Sequence, residues 1–290
     1  MFDVKNAREM LKFIDNKKEI KRILGLRKKD IKEISKGIEK DSGVKNFYCG
    51  ECGSSGIKVS KNEMDNINEV IYRTEDNHDI MQFQVSIESL AKRAKYLIRE
   101  NNLQDKKILF VGDNDMTSLA LCKIMRHNNL KLPKKITVVD IDKKLLNRIE
   151  KISKKENFFI KTIEYDINCI EEKFPKIPEH DVFFTDPPFT IQGTLAFVYL
   201  GLNSLKNNGR GYVAIPSTKF LRWSKKLNYN LQKFLLSSGF LIREMITSFH
   251  EYEDDGAFPS SMIELCRYSK KEVKLPIKIE NIYSKDVNAK

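Results

Sequence analysis

At 290 residues, with 41% apolar and 32% charged side chains, the chain can bury a full core, one large domain with a small companion. No run is long and apolar enough for a membrane span, and the opening stretch mixes charge and apolar residues too finely for a secretory signal. A net charge of +12 admits a nucleic-acid partner, yet lysines spread through stretches such as 28–40 serve a solvated helix face equally well.

Residues 2–45 read as two or three short amphipathic helices, with Ile31, Ile34 and Ile38 in one stripe and Gly25 and Gly43 as stops. This gives a small helical domain over 1–60, of possible winged-helix type, expected to cover the larger domain or to make a homodimer contact. Cys49 and Cys52 form a Cys-x-x-Cys turn, half of a zinc knuckle. A closed zinc site needs four ligands. His78 is the nearest third, and Cys122, Cys169 and Cys266 look like core positions, so an intramolecular zinc is not expected. A zinc shared across a dimer stays open. Five cysteines without a framework of close pairs point to a reducing cytoplasm.

The larger domain is placed at 61–270, with a flexible tail over 271–290. Residues 62–73 look helical, and Ser86 opens a helix to about Asn101 with Ile87, Leu90, Ala91, Ala94, Leu97 and Ile98 on one face. Asp79 and Gln82 precede it and are candidates to line a cleft.

The centre of the chain is 107–122, KILFVGDNDMTSLALC. Ile108–Val111 is the short apolar run of a buried parallel strand. Gly112 breaks it, Asp113, Asn114 and Asp115 follow, and a helix begins near Met116 with Asp115 or Thr117 as its cap. Strand, glycine turn and helix open a nucleotide-binding sheet, whose ligands sit at the carboxyl ends of strands. Acid stands here where a phosphate needs bare N–H groups, so a cationic ligand is expected.

Alternation then continues. A second strand, 136–139, ends in Asp140-Ile141-Asp142, and Asp140 is the acid placed to accept both hydroxyls of a ribose. A third, 158–165, ends in Asp166, a candidate partner for an adenine amino group. The fourth, 182–185, ends in Asp186-Pro187-Pro188-Phe189. A fifth at 211–215 and a closing pair at 240–249 and 262–268 complete seven strands. This is the α/β, class I methyltransferase-like variant of the doubly wound Rossmann-like sheet.

Two consecutive prolines remove two N–H donors and hold the backbone extended. Asp186 and nearby carbonyls can then accept hydrogen bonds from an attacking amine, while Phe189 walls the pocket. That favours alkylation of an amino group. Glu251, Tyr252, Glu253, Asp254 and Asp255, in the loop between the last two strands, suit a polycation.

Gly112-Asp113-Asn114-Asp115 with Thr117-Ser118, Val139-Asp140-Ile141-Asp142, Thr185-Asp186-Pro187-Pro188 and Phe249-His250-Glu251-Tyr252 together resemble the branched-chain polyamine synthases, the N4-bis(aminopropyl)spermidine synthases. The likeness covers roughly 76–268. It implies transfer of aminopropyl groups from decarboxylated S-adenosylmethionine, as co-substrate, to the secondary nitrogen of spermidine. It implies first-loop acids near that nitrogen and a flexible acidic segment holding the polyamine. Asn114 and Phe189 depart from the family pattern, and each removes a negative charge.

The chemistry fits independently. An amine with a lysine-like pKa of about 10.4 costs roughly 4–5 kcal/mol to deprotonate at pH 7, which a positioned carboxylate offsets. Asp113, Asp115 and Asp186 are the catalytic candidates. Gly112, Asp113, Asp140, Asp142, Asp166 and Pro187 are the donor-binding candidates, and Asp79, Gln82, Phe189, Glu251, Tyr252, Glu253, Asp254 and Asp255 the amine-binding ones. The rival reading is an AdoMet-dependent amino-methyltransferase acting on nucleic-acid bases. The acidic loops oppose it by repelling phosphate, so a small-molecule polyamine is the expected partner. A third reading is a non-catalytic, polyamine-sensing DNA-binding regulator.

Overall fold

The computed structural model describes residues 57–71, 83–218, 223–253 and 259–283. The chain divides into two compact units, Met1–Val59 and Ser60–Lys290. The readings made for the N-terminal helices, Cys49, Cys52, His78, Asp79, Gln82, Asp254 and Asp255 lie outside the described residues. No helix among the described residues is long and apolar enough to cross a membrane.

Helix α1 (Lys61–Asn68) starts in a capping box: Ser60 Oγ accepts the Glu63 N–H, and the Glu63 carboxylate accepts the Ser60 N–H at 2.8 Å. Helix α2 (Ile87–Glu100) is capped by Ser86, whose hydroxyl accepts the Ser89 N–H. Of the expected face it buries Leu90, Ala91, Ala94 and Leu97 and leaves Ile87 and Ile98 half-buried, and it buries Arg93 and Tyr96 as well.

Strand β1 (Lys107–Val111) lies between β2 (Lys135–Asp140) and β4 (His180–Thr185), parallel to both. Beyond β2 is β3 (Ile160–Glu164), and beyond β4 is β5 (Leu205–Pro216). The closing pair is antiparallel, β6 (Phe240–His250) at the edge and β7 (Ser260–Arg267) between β6 and β5. The order β3-β2-β1-β4-β5-β7-β6 is the seven-stranded, class I methyltransferase-like sheet expected. The chain leaves β1 in one direction for β2 and β3, then returns for β4 and β5. That reversal opens a crevice at the carboxyl ends of β1 and β4.

The crossovers are α3 (Thr117–His127), α4 (Lys143–Glu156), α5 (Ile191–Asn203) and α6 (Ser224–Ser237), with a 3₁₀ turn Ile167–Cys169 after β3. On one face Leu109, Val111, Phe183 and Val213 pack with Leu195, Val198, Leu231 and Phe234 of α5 and α6. On the other face Tyr96 of α2 meets Tyr212 of β5 edge-on, centroids 5.7 Å apart. The Phe183 ring occupies the space that side chains at Gly201 and Gly211 would take: a Cβ at either would fall 2.5 or 2.3 Å from it.

Three expectations need correcting. The residue at the head of α3 is Met116, left-handed at φ 56° and without a side-chain cap bond, in place of Asp115 or Thr117. The Asp115 carboxylate is drawn away to other partners, and Asp113 instead accepts the Ser118 N–H. Cys169 is exposed, not a core position, because it ends the short 3₁₀ turn at the surface. Residues 279–282, expected within a flexible tail, are hydrogen-bonded to the body of the domain.

Candidate active site

Gly112 makes the first turn possible. It holds φ at +71°, its N–H donates to the Val139 carbonyl at 2.8 Å, and a Cβ would fall 2.9 Å from the Phe197 ring of α5. The chain therefore leaves β1 across the tip of β2. Asp113 follows, with its carboxylate accepting the Ser118 hydroxyl at 2.5 Å and its N–H donating to Asp140 Oδ2 at 3.0 Å. Asp140 Oδ1 accepts the Asp142 N–H at 2.9 Å. Asp142 is occupied as the N-cap of α4, accepting from the N–H groups of Lys144 and Leu145. Asp166 likewise caps the 3₁₀ turn through the Asn168 N–H and side-chain amide. The acids expected at the tips of β2 and β3 are thus at those tips, each already carrying structural bonds.

The carboxylates of β1 and β4 meet through a residue that the sequence reading missed. Arg93 Nη1 donates to Asp115 Oδ2 at 2.9 Å and to Thr117 Oγ1 at 3.2 Å, while Nη2 donates to Asp186 Oδ2 at 2.6 Å. The guanidinium lies 4.7 Å from the centroid of the Phe184 ring and is 1% exposed. The second Asp115 oxygen accepts the Val85 N–H at 2.8 Å. Asp115 is therefore bonded within the protein at both oxygens. Asp186 keeps 17% of its side chain exposed and Asp115 7%. The missed signal was positional: Arg93 sits three residues after Leu90 and four before Leu97, on the apolar stripe.

On the far side of Asp186 is Tyr252, whose hydroxyl donates to both carboxylate oxygens at 3.4 Å. Tyr252 also bonds Ser260 Oγ at 2.9 Å, and Ser260 bonds His250 Nδ1 at 2.8 Å. The Phe189 ring stands edge-on to Tyr252, centroids 6.5 Å apart. Main-chain bonds fix this wall: Ser86 N–H to the Glu251 carbonyl, Glu253 N–H to the Gln84 carbonyl, each 2.8 Å, and the Glu251 N–H to Ser89 Oγ. Glu251 and Glu253 are exposed beside it, and Pro187 is buried below.

Burial raises the Asp186 carboxyl, and the Asp115 charge adds to it; Arg93 and Tyr252 oppose, leaving it at about 6. Burial pushes Asp113 well above the carboxylate range despite its bonds to Ser118. Asp140 is raised by burial too, against the N–H groups of Asp142 and Asp113. Burial works against the charged form of Arg93, but Asp186 and Asp115 outweigh it and hold the guanidinium above its usual value. Burial depresses His250 and keeps its ring neutral. The result is a crevice with one buried cation, one carboxylate poised near neutrality and acids at the tips of β2 and β3.

The family model of the branched-chain polyamine synthase A C-terminal domain matches residues 65–288. An uncharacterised protein of Methanocaldococcus jannaschii is 32% identical over 231 residues, covering 77% of this chain and 55% of that protein. The N(4)-bis(aminopropyl)spermidine synthase of the same organism is 29% identical over 252 residues, covering 80% of this chain and 68% of that one. The chain thus spans about half to two thirds of the length of these curated relatives. A crystal structure of a branched-chain polyamine synthase mutein from Thermus thermophilus, in complex with N4-aminopropylspermidine and 5′-methylthioadenosine, superposes with a TM-score of 0.64 at 25% identity. That likeness covers 77% of this chain and 67% of the other. With more than half its length matched by the family model, this chain belongs to the branched-chain polyamine synthase A C-terminal domain family.

Proposed function

We propose that the protein is an aminopropyltransferase that moves the aminopropyl group of decarboxylated S-adenosylmethionine to a secondary amine of a polyamine such as spermidine. The observation that carries this reading is Asp186, the more open of the two carboxylates joined by Arg93 and held near pH 6 at the mouth of the crevice. A relative bearing the synthase name and a structural neighbour holding an aminopropylated amine beside 5′-methylthioadenosine support the substrate class.

In this reading the amine arrives as an ammonium and gives its proton to Asp186. Its lone pair then attacks the propyl carbon bonded to the sulfonium, the C–S bond breaks, and 5′-methylthioadenosine leaves as a neutral thioether. Asp115 holds Arg93 and Val85 in place, and Asp113 shapes the loop against Asp140. The first-loop acids therefore serve by position and field, and proton transfer falls to Asp186. Asp140 accepts a ribose hydroxyl with the lone pairs its two backbone bonds leave over. Phe189 and Tyr252 form the wall along the amine, and Glu251 and Glu253 meet its distal charges, together with Asp79, Gln82, Asp254 and Asp255.

The test is mass spectrometry of products after incubation with decarboxylated S-adenosylmethionine or AdoMet and a panel of linear amines. A mass gain of one or two aminopropyl units on a secondary nitrogen is expected. Methylated amine as the product would replace this reading with the methyltransferase.

A further inference from the structure

After β7 the chain turns back over the carboxyl end of the sheet. The Ile279 N–H donates to Glu171 Oε2 at 3.1 Å, and the N–H groups of Glu280 and Asn281 donate to Gln192 Oε1 at 2.7 and 3.0 Å. The Ile282 N–H donates to Asn168 Oδ1 at 3.0 Å, and the Ile282 carbonyl accepts the Thr190 hydroxyl at 2.6 Å. Two of these anchors, Asn168 and Glu171, follow β3. The other two, Thr190 and Gln192, follow the Asp-Pro-Pro-Phe turn of β4. In the sheet β3 and β4 are separated by β2 and β1, so the strap joins the two sides of the crevice.

The fit is close. Ile279 and Ile282 are buried in the core layer beneath, beside Ile167 and Ile170. A Cβ at Gly193 would fall 2.7 Å from the Ile282 carbonyl oxygen and 3.0 Å from Pro188. Glycine at this position on α5 is what lets the strap lie down. Asn168 works in both directions: its oxygen holds the strap, and its amide holds Asp166 Oδ1 at 3.0 Å.

We propose that this strap is a wall of the donor's nucleoside pocket and that Tyr283 at its end is a binding residue for the adenine nucleoside. The proposal rests on the donor reading above and adds to it the element that closes the nucleoside end. Tyr283 is half-buried against the core layer and stands in the field of Asp140 and Asp166, the acids of β2 and β3. Its ring offers a face for a base and its hydroxyl a donor for a nucleoside oxygen. Burial and those two acids push the hydroxyl up to about 12, so it keeps its proton at working pH.

The test is calorimetric binding of 5′-methylthioadenosine, and separately of AdoMet, to the wild-type chain and to Tyr283→Ala, Tyr283→Phe and Gly193→Ala. Tyr283→Ala is expected to lose at least tenfold in affinity for both nucleosides, and Tyr283→Phe a smaller threefold to fivefold from the hydroxyl alone. Gly193→Ala, which lifts the strap without altering Tyr283, should reproduce the loss seen in Tyr283→Ala. The apparent affinity for the amine should stay within twofold in Tyr283→Ala, separating a nucleoside wall from a general loosening. Nucleoside affinity unchanged within twofold in Tyr283→Ala overturns the proposal. If the wild type binds both nucleosides through Tyr283 yet transfers no aminopropyl group, the strap stands and the transfer reading falls.

Discussion

Arg93 and Asp186 stand 2.6 Å apart, the cation from α2 and the anion from the tip of β4. The same guanidinium holds Asp115, so it keeps two carboxylates together that would otherwise repel. Removing one partner of a buried pair costs about 3–5 kcal/mol, because it leaves charge uncompensated. Arg93→Met is expected to lose stability in that range at pH 8. The deficit should shrink towards pH 5.5. Arg93 lowers the Asp186 carboxyl, so its loss raises that pKa. The native variant then holds its proton to higher pH, and the repulsion returns only once the proton leaves. Chemical denaturation at the two pH values checks this; a deficit independent of pH would show that Asp186 is not the group responding.

Asp186 should set the acid limb of the rate profile. Its carboxyl is raised to about 6, so it is protonated and unable to accept a proton below that value. The quantity kcat/KM is expected to climb as pH passes upward through about 6. Asp186→Asn should lose that limb and fall on the order of a hundredfold or more in maximal rate, the range of a positioned acid–base group. Steady-state rates from pH 5 to 9 decide it. A maximal rate kept within threefold would move the proton acceptor elsewhere.

Tyr252 acts on the same limb from the other side. Its hydroxyl donates to the Asp186 carboxylate, stabilising the charged form and lowering that pKa. Tyr252→Phe removes a bond worth about 1 kcal/mol, or roughly 0.7 of a pKa unit. The acid limb should therefore move upward by about that amount. A downward shift, or none, would mean that the hydroxyl serves the amine or Ser260 alone.

Asp140 should divide binding from chemistry. Asp140→Ala is expected to weaken 5′-methylthioadenosine by more than tenfold, about 1.4 kcal/mol, while the rate at saturating donor changes little. It also strips the acceptors from the N–H groups of Asp113 and Asp142, so the melting temperature should fall as well. Asp140→Asn retains one acceptor oxygen and should lose less of both. Calorimetry and a thermal melt on the two variants together test this, and equal losses would remove Asp140 from the donor site.

The sheet could be read from the sequence because its strands are short apolar runs cut by glycine, proline and acid. Ile108–Val111 and Val182–Thr185 emerge within two residues of their observed ends. The strand-tip acids were legible for the same reason: a carboxylate directly after a buried strand has few places to be. What they bond to was not. Asp115 resembled a free acid of an open loop until Val85 and Arg93 closed on it. Arg93 was hidden because an arginine in a charged amphipathic helix resembles a solvated residue, and only the partners at 115 and 186 justify its burial. The strap was hidden because Leu275, Ile277, Ile279 and Ile282 are interrupted by Pro276, Lys278, Glu280 and Asn281, a pattern shared by tails and edge segments alike. Its anchors are two side-chain amides, one carboxylate and one hydroxyl, which leave no periodic trace.

The buried guanidinium also bears on what the crevice can select. A resident positive charge already occupies the space between Asp115 and Asp186, as a permanent counter-ion would. A visiting cation meets a site largely neutralised in advance and gains little from crude attraction. In the reading proposed above, discrimination among amines then depends on chain length, branching and the reach of each nitrogen towards the part of Asp186 left exposed. Such a crevice measures its ligand as a ruler does, and added salt should change its preferences far less than the number of acids around it suggests.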